Sequence, residues 1–218
     1  MTPPDPDAGV PAKLKREVVA HYEAKLRDHG PTARGMDWKD EASQRLRFRV
    51  LCEVCDLAGR SLHELGAGAG HLLDYLREEE IAAEYTGSDL SAAMVEAARR
   101  RHPEARFAQR DLLLETPSPS HDVVVCSGLF HVCLGHAGDP WRRFVEETVR
   151  RMWALARVAI AFNLMSDRVD YRVPQIHYSS PSESFEFCRR ELSRFVVLRH
   201  DYPLHEYTLY VYRDAPVR

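Results

Sequence analysis

The sequence lacks several features that would place a 218-residue chain quickly in a functional class. It has no apolar run near the roughly 20 residues that a membrane-spanning helix needs, so no such helix is predicted. It also has no basic tract, and its formal net charge is −3. Arginine runs such as Arg99 to Arg101 are interpreted as solvated helix faces. We therefore expect neither membrane insertion nor nucleic-acid binding.

The cysteines are few and do not form a framework. There are five, an odd number, and Cys52 and Cys55 form a CxxC without the second pair that a structural zinc site needs. They are interpreted as reduced helix residues, no metal site is predicted, and a reducing, cytoplasmic location is expected. Residues 1–11 are rich in proline and aspartate, have no apolar signal core, and are predicted to be a disordered N-terminus.

The sequence does show a regular alternation of strand and helix patterns. Residues 12–59 predict two helices that form an N-terminal cap, and Gly30 and Gly59 are predicted to end them. Residues 60–218 predict five parallel strands separated by helices, followed by a hairpin whose short turn permits only antiparallel pairing. The fold class is α/β, with helices on both faces of one sheet, in a single domain that includes the cap.

A glycine-rich turn follows the first predicted strand of this core. Gly66, Gly68 and Gly70 occupy alternate positions, whereas the GxGxxG fingerprint of dinucleotide sites would need a glycine where His71 stands. Glu64 at the strand end would repel a pyrophosphate and favours a cation. The turn therefore predicts a ligand close to the backbone that is not a dinucleotide.

Two further carboxylates follow the next strands. Asp89 is placed to accept both ribose hydroxyls of a nucleoside, and Asp111 to accept an adenine amino group. A ligand with adenine, ribose and a cationic tail but no phosphate is S-adenosylmethionine (SAM). Simpler interpretations remain for single residues, because the glycines could form an ordinary tight turn, Asp111 a helix cap, and Ser127 with Gly128 a plain strand end.

From about Ser61 onward the chain resembles class I SAM-dependent methyltransferases. Residues 64–70 (ELGAGAG), Asp89, residues 111–112 (DL) and residues 127–130 (SGLF) match the motifs of that family in order. The resemblance implies a Rossmann-like, seven-stranded and mostly parallel sheet of order 3-2-1-4-5-7-6, with SAM as cofactor and S-adenosylhomocysteine as product. It implies a cofactor site made of Glu64, Gly66, Ala67, Gly68, Asp89, Leu90, Met94, Asp111, Leu112, Ser127 and Gly128.

Three regions are expected to surround the acceptor substrate. The cap, which resembles a little-characterised bacterial branch of the superfamily, offers Tyr22, Arg34, Trp38 and Arg47. His131, after the fourth strand, is the candidate general base, although a packing role is an alternative.

The third region runs from the end of the fifth strand into the following loop. Asn163 interrupts an apolar strand there and must be hydrogen-bonded, so substrate is a candidate partner. Tyr171 and His177 are candidate substrate-binding residues, and Tyr178 completes the predicted catalytic set with His131 and Asn163.

The expected reaction is methyl transfer to an O or N atom of a small polar metabolite, mainly by proximity and orientation. The alternative is attack at the γ-carbon of SAM, which would release methylthioadenosine. An (Asn/Asp)-Pro-Pro-Tyr motif is missing from the fourth strand end, which argues against methylation of a flipped nucleobase. A monomer and a homodimer both remain open.

Overall fold

A computed structural model describes residues 12–136 and 138–216. The disorder predicted for residues 1–11 concerns a segment outside these residues. The helices are α1 Ala12–His29, α2 Glu41–Cys52, α3 His71–Glu78, α4 Ala92–Arg101, α5 Asp139–Leu155 and α6 Pro181–Glu191, with single 3-10 turns at Arg34–Met36 and Leu112–Leu114. The strands are β1 Ser61–Leu65, β2 Glu84–Asp89, β3 Arg106–Gln109, β4 His121–Cys126, β5 Ala156–Met165, β6 Phe195–Arg199 and β7 Glu206–Tyr212.

The seven strands form one sheet of order β3-β2-β1-β4-β5-β7-β6. Strands β1 to β5 are parallel, and β7 runs antiparallel between β5 and β6. The predicted fold class and strand order are confirmed. Because β1 to β5 point the same way, the residues that follow them meet at one edge of the sheet, where ligands of open α/β sheets bind.

Two apolar clusters cover the two faces of the sheet. One packs Phe48 of α2, Leu72 of α3 and Val95 of α4 against the strands. The other packs Leu14 of α1 and Trp141 of α5, together with residues of α6. This is the two-faced burial that makes β-branched strands such as β4 almost continuously apolar.

The second cap helix is shorter than its sequence pattern predicted. Helix α2 ends at Cys52, so Cys55 lies beyond it in a turn, where the Asp56 carboxylate accepts the Ala58 amide and the Asp56 carbonyl accepts Arg60. Both cysteines are free and half-buried, and burial raises the pKa of the Cys52 thiol to about 12. In the part of the chain that the structure describes, no helix could cross a membrane and no cluster of side chains could hold a metal ion.

Helix α1 lies against the ligand-binding edge of the sheet through polar contacts. Lys15 Nζ is 2.6 Å from Asp111 Oδ2, and the Ser91 hydroxyl donates to Glu23 Oε1 at 2.7 Å. The cap is therefore attached directly to residues that follow β2 and β3.

Candidate active site

A cleft lies between the carboxyl edge of the sheet and the cap. All the residues that the sequence predicted for the cofactor line it: Glu64, Gly66, Ala67, Gly68, Asp89, Leu90, Met94, Asp111, Leu112, Ser127 and Gly128. They follow four different strands, and the parallel sheet alone brings them together.

The glycine turn uses its backbone amides within the protein. The amides of Gly66 and Ala67 donate to the Ser88 carbonyl at 2.8 and 3.0 Å, and that of Gly68 donates to Asp89 Oδ2 at 2.9 Å. Gly66 and Gly68 have φ of 72° and 53°, the left-handed region that favours glycine. The amides of Gly66, Ala67 and Gly68 are thus used within the protein and do not point to a pyrophosphate.

Asp89 is held in a fixed orientation at the end of β2. Oδ2 accepts the Gly68 amide and Oδ1 accepts the Ser91 amide at 2.9 Å. These two bonds leave acceptor capacity on both oxygens, since a carboxylate offers about four lone-pair positions. Burial raises the pKa of Asp89, and the two amide bonds act against that rise. Such a carboxylate suits a pair of neighbouring hydroxyls.

Glu64 is a buried acid beneath the turn, 3% exposed. Burial raises the pKa of Glu64 to about 8, although the Tyr85 hydroxyl donates to it at 2.5 Å. A cation in the cleft would favour its ionised form, because opposite charges attract strongly where water is excluded. The residue therefore fits a positively charged ligand group.

Asp111 lies at the β3 end of the cleft and has two partners already. Its Oδ1 accepts the Leu113 amide at 3.1 Å, which makes it the cap of the 3-10 turn, and its Oδ2 is paired with Lys15. Both interpretations from the sequence thus meet in one residue, which caps a helical turn and lines the cleft.

Two buried hydroxyls in the cleft wall lack hydrogen bonds. Ser127 Oγ and Thr148 Oγ1 have no partner among the described residues, and Thr148 is 2% exposed. Buried hydroxyls are normally satisfied, so a bound ligand is a natural partner for them. Ser127 was predicted, whereas Thr148 on α5 was not, because a single threonine in an amphipathic helix carries no motif.

The cap supplies the opposite wall, and this wall is mainly apolar. It includes Val18, Val19 and Tyr22 of α1, and Met36 and Trp38 of the following loop. Met36 covers the glycine turn so closely that a Cβ at Gly68 would lie 2.7 Å from its sulfur. Of the predicted substrate residues, Tyr22 and Trp38 line the cleft.

The family described as "Methyltransferase domain" matches residues 63–155, which hold β1 to α5 and the glycine turn. A Mycobacterium tuberculosis (strain H37Rv) protein with a provisional methyltransferase name is 34% identical over 153 residues, 69% of this chain and 92% of that protein. The chain belongs to the class I SAM-dependent methyltransferases. Trans-aconitate 2-methyltransferase of Rhodopseudomonas palustris is 30% identical over 95 residues, 44% of this methyltransferase but only 37% of that relative.

Two solved structures, one of them of a named methyltransferase, have the same fold. The 1,6-didemethyltoxoflavin-N1-methyltransferase of Burkholderia thailandensis aligns with a TM-score of 0.65 at 18% identity, covering 93% of this chain and 89% of that one. DhpI in complex with S-adenosylhomocysteine aligns with a TM-score of 0.63 at 23% identity, covering 94% and 98%. At these identities the likeness concerns the fold.

The predicted catalytic residues of this methyltransferase do not line the cleft. His131 is buried behind Trp38, with ring centroids 5.9 Å apart. Burial, with Arg47 nearby, lowers the pKa of His131 to about 3, so it is a poor proton acceptor at neutral pH. This position supports the packing role, which the sequence left as the alternative for His131.

Asn163 has protein partners where substrate was expected. Its Oδ1 accepts the Gly128 amide at 2.8 Å, and its Nδ2 donates to Glu206 Oε1 at 3.1 Å. Tyr178 is also outside the lining, and its hydroxyl accepts the Val173 amide at 3.0 Å. Both side chains therefore have protein partners in this structure and lie outside the lining of the cleft.

The remaining substrate candidates lie outside the cleft as well. Arg34 is exposed, Tyr171 is 76% exposed, and His177 is half-buried with its ring 6.4 Å from that of Trp141. Arg47 lies behind Trp38 and pairs with Glu206 at 2.9 Å. The direction of the chain after β5 and the packing of the cap against the sheet determine these positions. Neither can be predicted from local sequence.

Sequence reasoning missed Glu206 altogether. It is the first residue of β7, fully buried, and opposite Met165 in the β5–β7 pairing. A glutamate that begins an apolar strand, in the segment EYTLYVY, is the one available signal, because a buried charge needs a partner.

Proposed function

We propose that this chain transfers the methyl group of SAM to an O or N atom of a small metabolite. The observation that carries the proposal is the single cleft that collects every predicted cofactor residue around a glycine turn whose amides are internally bonded. When bound, SAM supplies an electrophilic sulfonium methyl that needs no further activation. The chain then has to bind, orient and exclude water.

The individual residues divide this work by position along the sheet edge. Asp111 and Leu112 after β3 lie where adenine is expected, and Asp89 after β2 is oriented for the ribose hydroxyls. Glu64 and Ser127, at the ends of β1 and β4, then face the cationic tail, with a buried carboxyl and an unpartnered hydroxyl. The cap covers the cleft and limits access of water to it.

Orientation carries the catalysis in this proposal, without an assigned general base. Among the described lining residues the one histidine is His71, and burial together with Arg101 lowers its pKa to about 4. Burial and the nearby Asp37 and Asp89 raise the pKa of Tyr22 far above its usual value. Alignment of a nucleophile can by itself lower a barrier by about 7–11 kcal/mol.

The acceptor we propose is uncharged or weakly charged, with an apolar body. The lysine and arginine side chains described in the lining are both paired, Lys15 with Asp111 and Arg110 with Glu115. One relative is named for trans-aconitate, which is a polyanion. No lysine or arginine described in the lining of this cleft remains unpaired to bind such a ligand. Val19 and Trp38 in the wall favour apolar contact instead, so the small polar metabolite expected from the sequence is here proposed to have an apolar body.

Product analysis tests methyl transfer directly. The chain is incubated with SAM and a panel of neutral aromatic alcohols and amines, and the nucleoside product is separated by chromatography. S-adenosylhomocysteine is expected, in an amount equal to the methylated acceptor. Methylthioadenosine would mean attack at the γ-carbon and would overturn the proposal; no named relative supports that reaction.

Three further points concern the partners, the location and the oligomeric state of the chain. We propose a small-molecule partner without nucleic acid or membrane, because the described cleft is lined mainly by apolar side chains and the sequence has no basic tract. We propose action in the cytoplasm, which suits the free cysteines of the described chain. Gel filtration distinguishes the monomer from the homodimer.

A further inference from the structure

We propose that Glu206 is a positioning residue that fixes the sulfonium end of the cleft by holding Trp38 and the Gly128 amide in one closed set of contacts. No sequence motif contains Glu206, and the residue does not line the cleft. The inference rests on the proposed function, because it concerns how the chain holds the amino-acid tail of SAM.

One side of the set fixes the loop after β4. Glu206 Oε1 accepts from the Asn163 amide at 3.1 Å, and Asn163 Oδ1 in turn accepts the Gly128 backbone amide at 2.8 Å. All three groups are buried in the sheet edge. Because Glu206 can only accept when ionised, it determines which end of the Asn163 amide faces Gly128.

The other side fixes the cap. Glu206 Oε2 accepts from Arg47 Nε at 2.9 Å, and the guanidinium carbon lies 4.2 Å from the centre of the Trp38 ring. Arg47 also donates to the Ser43 carbonyl at 3.0 Å, which ties the pair to α2. The aromatic ring is therefore held from behind by a cation that Glu206 neutralises.

The two sides meet at Gly128. A Cβ built there would lie 2.1 Å from Cη2 of Trp38, and Gly128 has a φ of 70°. The contacts thus run from Gly128 through Asn163, Glu206, Arg47 and Trp38 back to Gly128. Removal of the Glu206 charge releases the ring and the amide together, since both depend on the same carboxylate.

The place of this set along the sheet edge determines which part of the ligand it affects. With adenine at the β3 end and ribose at the β2 end, an extended adenosine derivative continues over β1 and β4. Adjacent strands are about 4.8 Å apart, so the tail beyond the sulfur reaches Gly128 and Trp38. The adenosine part lies two or three strands away from Gly128 after β4, and four or five strands away from Glu206 in β7.

Calorimetry with two ligands tests the inference on the full chain. S-adenosylhomocysteine carries the amino-acid tail, and methylthioadenosine has the same adenosine and sulfur without it. In Glu206→Gln we expect the Kd for S-adenosylhomocysteine to rise about tenfold, while that for methylthioadenosine changes less than twofold.

Two further variants separate positioning from loss of stability. The double variant Arg47→Met with Glu206→Gln lacks the cation that Glu206→Gln alone leaves unpaired. Its melting temperature should therefore return to that of the parent chain, while the tenfold loss of affinity for S-adenosylhomocysteine persists. Asp122→Asn, at the opposite edge of the sheet, removes an acid bonded to Ser61 and should leave both affinities unchanged.

Equal losses for both ligands in Glu206→Gln, or no loss for either, would overturn the inference while the proposed function stands. Failure of the parent chain to bind S-adenosylhomocysteine would overturn the proposed function and this inference with it.

Discussion

The adenosine half and the acceptor half of the cleft are built in different ways. In the adenosine half, Asp89 ends β2 and Asp111 follows β3. Each accepts the backbone amide two residues further on, and Asp89 also accepts the Gly68 amide of the glycine turn that follows the adjacent strand β1. In the acceptor half, Trp38 from the cap faces Gly128 after β4, and the group that holds them, Glu206, comes from the last strand. Strand-end residues and the backbone amides beside them make the first half, whereas side chains from the cap and from the last strand make the second.

The largest effect that would sharpen this contrast is expected at Asp89. Asp89→Asn turns one acceptor oxygen into a donor that faces the Gly68 or Ser91 amide and weakens the bonds to ribose. Hydrogen bonds to charged groups contribute about 1.5–3 kcal/mol each. The affinities for S-adenosylhomocysteine and for methylthioadenosine should therefore both fall about 100-fold. Calorimetry measures both, with circular dichroism as the check on folding.

Equal loss for the two ligands is the signature of the adenosine half, in contrast to the selective loss expected for Glu206→Gln. Retained affinity in Asp89→Asn would show that ribose lies elsewhere and would remove the basis for the division into halves.

A smaller, pH-dependent effect is expected at Glu64. Its folded-state pKa of about 8 lies above the ordinary value of 4.5, so its contribution to stability is full below pH 4.5 and is lost as the pH rises through 8. Bound SAM, as a cation, favours the ionised form. Affinity for SAM should therefore increase by up to about tenfold per pH unit between pH 6 and 8, with release of a proton.

Titrations in buffers of different ionisation enthalpy measure the released proton. Neutral methylthioadenosine serves as the ligand control, and Glu64→Gln should abolish the release. An unchanged proton count in Glu64→Gln would assign the titration to another group of the cleft, such as Asp89, whose pKa burial also raises.

The smallest effect is expected where the cap meets the adenosine half. Lys15→Met removes the ion pair with Asp111, whose side chains are 15% and 22% exposed. Partly exposed pairs contribute about 1 kcal/mol or less, so both ligands should bind two- to threefold more weakly as α1 loosens. A loss confined to S-adenosylhomocysteine would contradict the placement of adenine near Asp111. Lys13→Met, which removes an exposed pair with Glu17, is the matched control on the same helix.

Much of the fold could be predicted because its signals are periodic and local. The alternation of apolar strands with amphipathic helices predicted the order of elements, and local serine caps, Ser91 and Ser180, begin α4 and α6. The prediction that the second cap helix extends to Gly59 is wrong, and the reason lies in tertiary packing. Beyond Cys52 the buried Val54 and Leu57 join the core from a turn, not from a helix face.

The sequence by itself determined the adenosine half, because each of its residues follows its own strand and a parallel sheet places all strand ends at one edge. Only the tertiary structure decided the acceptor half. It buried His131, gave Asn163 protein partners, and joined Arg47 to Glu206 across 159 residues. The physical reason is that a buried charge is stable only beside its partner, and that partner can come from any part of the chain.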